Sequence, residues 1–134
     1  MESKIIELKK NGDDRGQLIV VEGAKSIPFE IKRLFYIYGC DEGAVRGQHA
    51  NINSSFVFAV VKGSCNVKVI ENDGSEAVFE LDDPAKLLYV PKMSWKEMSG
   101  FSKDCVLLVI ADTHYDPDEY IRSLDDFMGK IKHE

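Results

Sequence analysis

The chain has 134 residues, 44% of them hydrophobic and 30% charged, and a net charge of −6. One domain spanning 1–134 is expected, with a real core but no room for a second. The acidic balance excludes a general nucleic-acid binder, and no apolar run is long enough for a signal-peptide core or a membrane span.

Short β-like runs separated by turn signals fill most of the sequence. Lys4 to Leu8 and Gln17 to Glu22 flank the turn-forming cluster Asn11-Gly12-Asp13-Asp14-Arg15-Gly16. Ile31 to Tyr38 is apolar and aromatic and stops at Gly39, and Phe56 to Val61 is a continuous apolar run closed by Gly63. Asn66 to Glu71 and Ala77 to Leu81 flank the hairpin signal Asn72-Asp73-Gly74. Leu87 to Val90 and Cys105 to Ile110 complete the strands. Runs this short and regularly spaced predict an all-β closed barrel or jelly roll over 1–115. A helix over 116–132 follows, with Asp116 as cap, Pro117 in its first turn, and an apolar stripe of Ile121, Leu124, Met128 and Ile131. The cysteines, Cys40, Cys65 and Cys105, form no CxxC pair and read as free thiols of a reducing cytoplasm.

The segment Arg46-Gly47-Gln48-His49-Ala50-Asn51 is the candidate site. Residues two apart on a strand share a face, so His49 and Asn51 are expected to look into one space. Two imidazoles, a carboxylate and a third histidine from a later strand would favour a metal. Here an asparagine stands at 51, serines stand at 54 and 55, and Pro91 to Trp95 holds no histidine. The residues therefore argue against a metal. A lone inward histidine is either a hydrogen-bonded core residue or a proton-transfer group near neutral pH. Arg46, three residues before His49, belongs on the opposite face of a regular strand. A bulge at Gly47 would bring both to one cavity.

An ordered set of motifs then carries a resemblance. It comprises Asp14-Arg15-Gly16, Ile27-Pro28-Phe29-Glu30-Ile31-Lys32-Arg33 with Tyr36, Arg46-Gly47-x-His49-Ala50, and Gly63-Ser64. Leu88-Tyr89-Val90-Pro91, Trp95-x-Glu97-Met98, Phe101-Ser102-x-Asp104 and the stretch from Tyr115 to Phe127 complete it. Together they resemble the sugar-nucleotide 3,4-ketoisomerases, nearly end to end. The resemblance implies a cupin-like jelly-roll β-barrel with a short C-terminal helix, working without metal or organic cofactor. It implies a dTDP-linked 4-keto-6-deoxyhexose as substrate, whose keto group moves from C4 to C3 through an enediol or enediolate. The product would serve synthesis of a 3-amino-3,6-dideoxy sugar. A homodimer with exchanged N-terminal strands is also implied.

The family commonly reads His-Ala-His, where this chain reads His49-Ala50-Asn51. Asparagine cannot titrate but both donates and accepts hydrogen bonds. In one reading His49 is the base, Asn51 steadies the enediolate, and Tyr36 or Tyr38 relays a proton. In the other the chemistry is lost and nucleotide-sugar binding remains. Arg15, Arg33 and Arg46 are candidates for the pyrophosphate, with Gly47 allowing close backbone approach, and Tyr89 and Trp95 are candidates for stacking on thymine or lining the sugar pocket.

Overall fold

The computed structural model describes residues 2–131. Its strands are β1 Lys4–Glu7, β2 Asn11–Asp13, β3 Gly16–Leu18, β4 Arg33–Tyr38, β5 Arg46–Asn51 and β6 Phe56–Lys62. They continue as β7 Cys65–Ile70, β8 Glu76–Leu81, β9 Lys86–Val90, β10 Trp95–Ser99, β11 Val106–Ala111 and β12 Tyr120–Ile121, before the helix α1 Leu124–Lys130. One five-stranded sheet runs β1-β9-β6-β11-β4 and the other β12-β5-β10-β7-β8. All of their pairings are antiparallel. Two facing sheets of this kind make the expected jelly roll, although they are not hydrogen-bonded into one cylinder.

Alternation explains the layers. Phe56, Phe58 and Val60 of β6 point between the sheets and pack with Val67 and Val69 of β7 and Leu107 and Val109 of β11. The intervening Val57 and Ala59 point to the outer face of the first sheet. There residues 20–31 fold across them, burying Ile27 with Val21 and Phe29 packed alongside. Covered on both faces, β6 has no polar side and reads as an unbroken apolar run.

Two expectations need correction. The cluster from Asn11 to Gly16 is itself a small hairpin, with β2 and β3 paired from Asn11↔Leu18 to Asp13↔Gly16. The C-terminal helix is shorter than 116–132. Asp116 does cap a turn, accepting from the Asp118 amide at 3.0 Å, but that turn is a single 3₁₀ turn over Pro117–Glu119. Tyr120 and Ile121 then extend and pair with Asn51 and Ala50 of β5. Strand pairing satisfies the free edge of β5 and buries Ile121, which outweighs continuation of the helix. The helix begins only after Ser123, whose hydroxyl accepts from the Asp126 amide at 3.2 Å. Its buried anchor is Phe127, stacked obliquely on Trp95 with ring centroids 6.0 Å apart. Leu124, expected in the apolar stripe, is exposed. The last expected helical residue, 132, and His133 lie outside the described residues.

Phe127 is fully buried, so Phe127→Ala is expected to cost roughly 3–5 kcal/mol. Urea unfolding followed by Trp95 fluorescence checks this, because the indole loses its aromatic neighbour.

Candidate active site

The interior end of the jelly roll holds a cavity of about 120 Å³ lined by Phe35, Arg46, Gly47, His49, Phe56, Lys96 and Tyr120 among others. Its polar groups come from the second sheet, its apolar walls mostly from the first. The register of β5 against β10 makes this possible. Lys96 lies opposite His49 and Glu97 opposite Gly47, so Gln48 is an extra residue in β5. This is a β-bulge. Gly47 has φ +84° and Gln48 φ +55°, and a Cβ on Gly47 would sit 2.9 Å from the Lys96 carbonyl oxygen. The bulge brings Arg46, Gly47 and His49 to one cavity.

His49 is half-buried, and its ring lies 4.8 Å from that of Tyr120. Its Nδ1 is 2.9 Å from the Gly47 carbonyl oxygen. A carbonyl only accepts, so Nδ1 carries the proton of the neutral ring and Nε2 is its basic nitrogen. Burial, and then the Lys96 charge, push the His49 pKa down to about 4, against the raising effect of the Gly47 hydrogen bond. At neutral pH the ring is an unprotonated base.

Lys96 escapes the sequence motifs, where it occupies the unspecified place between Trp95 and Glu97. It is buried, and its Nζ donates to Asn51 Oδ1 at 2.9 Å and lies 4.7 Å from the centroid of the Phe56 ring. Burial pushes its pKa down to about 7, while the negative charge of Glu119 pulls the other way. Glu119, which lies in the last of the sequence motifs but was given no part in the site, is a buried carboxylate accepting from the amides of Asn53 and Ser54 at 2.8 and 3.0 Å and from the Ser54 hydroxyl. The signal for Lys96 was positional. Trp95, Lys96 and Glu97 alternate, and a large aromatic at 95 buried on one face sends its neighbour to the other.

The other candidates separate. Asn51 is fully buried behind Lys96, and its Nδ2 has no hydrogen-bond partner among the described residues. It is therefore placed to hold Lys96 rather than to touch a ligand. Tyr36 and Tyr38, 60% and 70% exposed, stack on each other on the outer face of β4, because alternation gives the inward places to Phe35 and Ile37. The tyrosine beside His49 is Tyr120. Trp95 faces away from the cavity, packed under α1 with its indole N–H donating to Glu97 Oε2 at 2.9 Å. Tyr89 packs on the outer face of the first sheet near Phe29. Neither lines the cavity.

Arg33 sits beside the cavity, its guanidinium 5.6, 5.9 and 5.6 Å from the ring centroids of Phe35, Phe56 and Tyr115. Its Nε and Nη2 are buried without hydrogen-bond partners among the described residues. Unspent guanidinium donors over aromatic rings suit a phosphate oxygen. Arg15 lies elsewhere, at the tip of the β2–β3 hairpin, bonded to Asp13 at 2.6 Å. No group of three or more His, Cys, Asp or Glu able to hold a metal occurs among the described residues.

Gly47→Ala should cost on the order of 1–3 kcal/mol through strain at positive φ, whereas Gly43→Ala, where an added Cβ meets nothing within 4 Å, should be neutral; chemical denaturation compares them. Both site pKa values lie below their ordinary ones. The unfolded chain therefore binds more protons between about 4 and 6.5 for His49 and between about 7 and 10.5 for Lys96, and stability rises with pH through both windows. Lys96→Met should abolish the pH dependence of the upper window, as read by unfolding at pH 7 to 10.

The family model described as "FdtA: WxcM-like, C-terminal" matches residues 1–132. A TDP-4-oxo-6-deoxy-alpha-D-glucose-3,4-oxoisomerase of Aneurinibacillus thermoaerophilus is 42% identical over 131 residues, 98% of this chain and 94% of its own. The crystal structure of QdtA, a sugar 3,4-ketoisomerase of Thermoanaerobacterium thermosaccharolyticum in complex with TDP, superposes with a TM-score of 0.93 at 35% identity, over 97% of this chain and 94% of that one. A histidine-to-asparagine variant of QdtA in complex with TDP-4-keto-6-deoxyglucose superposes with a TM-score of 0.92 at 34% identity, over the same shares, 97% and 94%. With matches that run the length of the chain, this protein belongs to the FdtA, WxcM-like C-terminal family.

Proposed function

We propose that the protein is a TDP-4-keto-6-deoxyglucose 3,4-ketoisomerase in which His49 is the base. The observation that carries the reading is a histidine kept neutral by burial and facing a small, largely apolar cavity. The oxoisomerase of Aneurinibacillus thermoaerophilus and the QdtA complexes with TDP and with the keto sugar supply the substrate class.

The C4 ketone acidifies the C3 proton. Nε2 of His49 removes it, and the electrons pass into the C3–C4 bond and onto the C4 oxygen, giving the enediolate. Return of the proton to C4 and formation of the C3 ketone complete the transfer. The enclosed space is too small for a whole nucleotide sugar, for which ligand pockets run to roughly 300–1,000 Å³. The sugar ring therefore enters and the pyrophosphate stays at the mouth with Arg46 and Arg33.

The reading includes a homodimer that exchanges N-terminal strands. Among the described residues, strands β2 and β3 pair only with each other, and Leu18 and Val20 beside them are exposed. The outer face of β4 exposes Leu34, Tyr36 and Tyr38, an apolar surface fit for a second copy. Free thiols at all three cysteines suit a cytoplasmic setting. The competing reading, nucleotide-sugar binding without turnover, is favoured by the untitratable Asn51.

Incubation with TDP-4-keto-6-deoxyglucose in deuterated water should yield the 3-keto sugar, read by NMR, with deuterium at C4 only in the fraction of turnovers in which the His49 imidazolium exchanges with solvent before returning its proton. Tight TDP binding without conversion would decide for the binding module. His49→Asn should lower turnover by ~10²–10⁴-fold while TDP affinity, measured by calorimetry, stays close to that of the parent; undiminished turnover would remove His49 as the base.

A further inference from the structure

Resting on the ketoisomerase reading, we propose that Lys96, held by Asn51 and facing His49, is the second proton-transfer group of the reaction. The reaction needs two proton events at each half: one at carbon, one at oxygen. His49 serves carbon. The vicinal oxygens at C3 and C4 need a donor for the first half and an acceptor for the second.

Lys96 has the position for both. It stands directly across the strand pair from His49 and lines the same cavity. Asn51 Oδ1 takes one of its three protons at 2.9 Å, and the Ser94 carbonyl oxygen lies at 3.5 Å. No salt-bridge partner fixes its charge among the described residues, unlike Lys10, Arg15 and Lys68. The charged or titratable groups around it are His49 from β5, Arg46 at the mouth, Glu119 and Tyr120 from the C-terminal segment, and Arg33 and Arg122 farther out. The remaining walls are apolar. Burial favours the neutral amine against the pull of the single Glu119 charge, and so brings the exchange to near-neutral pH.

The protons balance. As the C3–H bond breaks toward His49 Nε2, a Lys96 N–H passes its proton to the C4 oxygen, leaving a neutral enediol and a neutral amine. The amine then takes the proton of the C3 hydroxyl while the imidazolium returns its proton to C4. Both groups end as they began. Asn51 has a physical reason in this scheme. A second imidazolium beside a buried ammonium would repel it, whereas an amide oxygen orients the amine at no cost in charge.

A covalent role is excluded by the product. If Lys96 added to the C4 ketone, tautomerisation of the resulting imine would leave nitrogen on C4, and no free 4-hydroxy-3-keto sugar would form. Lys96 acts as an acid and base, not as a nucleophile.

The test compares parent, Lys96→Arg, Lys96→Met and Asn51→Asp by conversion of TDP-4-keto-6-deoxyglucose across pH 5 to 10, alongside ¹⁵N NMR titration of the Lys96 Nζ. The parent should show a limb in kcat/KM near pH 7 that coincides with the NMR titration. Arginine keeps the charge but not the exchangeable proton, so Lys96→Arg and Lys96→Met should both lose ~10²-fold or more in kcat with KM changed far less. Asn51→Asp should move limb and titration together to higher pH. Parent-like kcat in Lys96→Arg would reduce the residue to a fixed charge, and parent-like kcat in Lys96→Met, or a borohydride-trapped adduct on Lys96, would overturn the proposal while leaving the ketoisomerase reading intact. A parent protein inert toward the keto sugar at every pH would overturn both.

Discussion

In β5, Gly47 and Gln48 together occupy the length that β10 covers with the single step from Lys96 to Glu97. On a regular strand, residues three apart face opposite ways, so Arg46 and His49 could not share a cavity. The inserted residue reverses the phase of the strand once, and everything upstream of it changes face. Arg46 turns inward at the mouth, the Gly47 carbonyl becomes available to His49 Nδ1, and the close approach to Lys96 permits no side chain at 47. The tautomer of the histidine and the geometry of the mouth thus come from one irregularity in the backbone.

Around that irregularity the protein gathers groups that each weaken the fold. Lys96 and His49 are held away from water, the ammonium keeping the imidazole neutral, and the Nδ2 of Asn51 and two guanidinium nitrogens of Arg33 go without partners among the described residues. Such groups cost free energy that a purely apolar core would not. The sheets offset it with an otherwise conventional interior of phenylalanine, valine and leucine. Strain collected in one place and stability in another is the usual distribution in a binding or catalytic site.

Much of this was legible in the residues. Strands β6, β7 and β9 announce themselves through apolar runs and turn signals, and the place of His49 follows from its neighbours. Strand β10 does not, because Trp95-Lys96-Glu97-Met98 mixes charge with bulk and matches neither a half-exposed nor a fully buried pattern. Its buried lysine breaks the rule by which faces are assigned from sequence. Tyr36 and Tyr38 mislead for the converse reason: on β4 both faces carry large apolar or aromatic residues, so composition cannot say which side is in. The C-terminal segment carries two successive caps, Asp116 and Ser123, and only the partner strand β5 decides that the first begins a single turn and the second the helix.

That segment also completes the cavity. Glu119 reaches back 65 residues to Ser54, and Tyr120 reaches back to His49. Every other wall of the cavity belongs to residues 35–109. A chain that stopped after β11 would hold its base and its lysine in a half-open, water-filled cleft, because the carboxylate that tempers Lys96 and the ring that flanks His49 come from the segment after that strand.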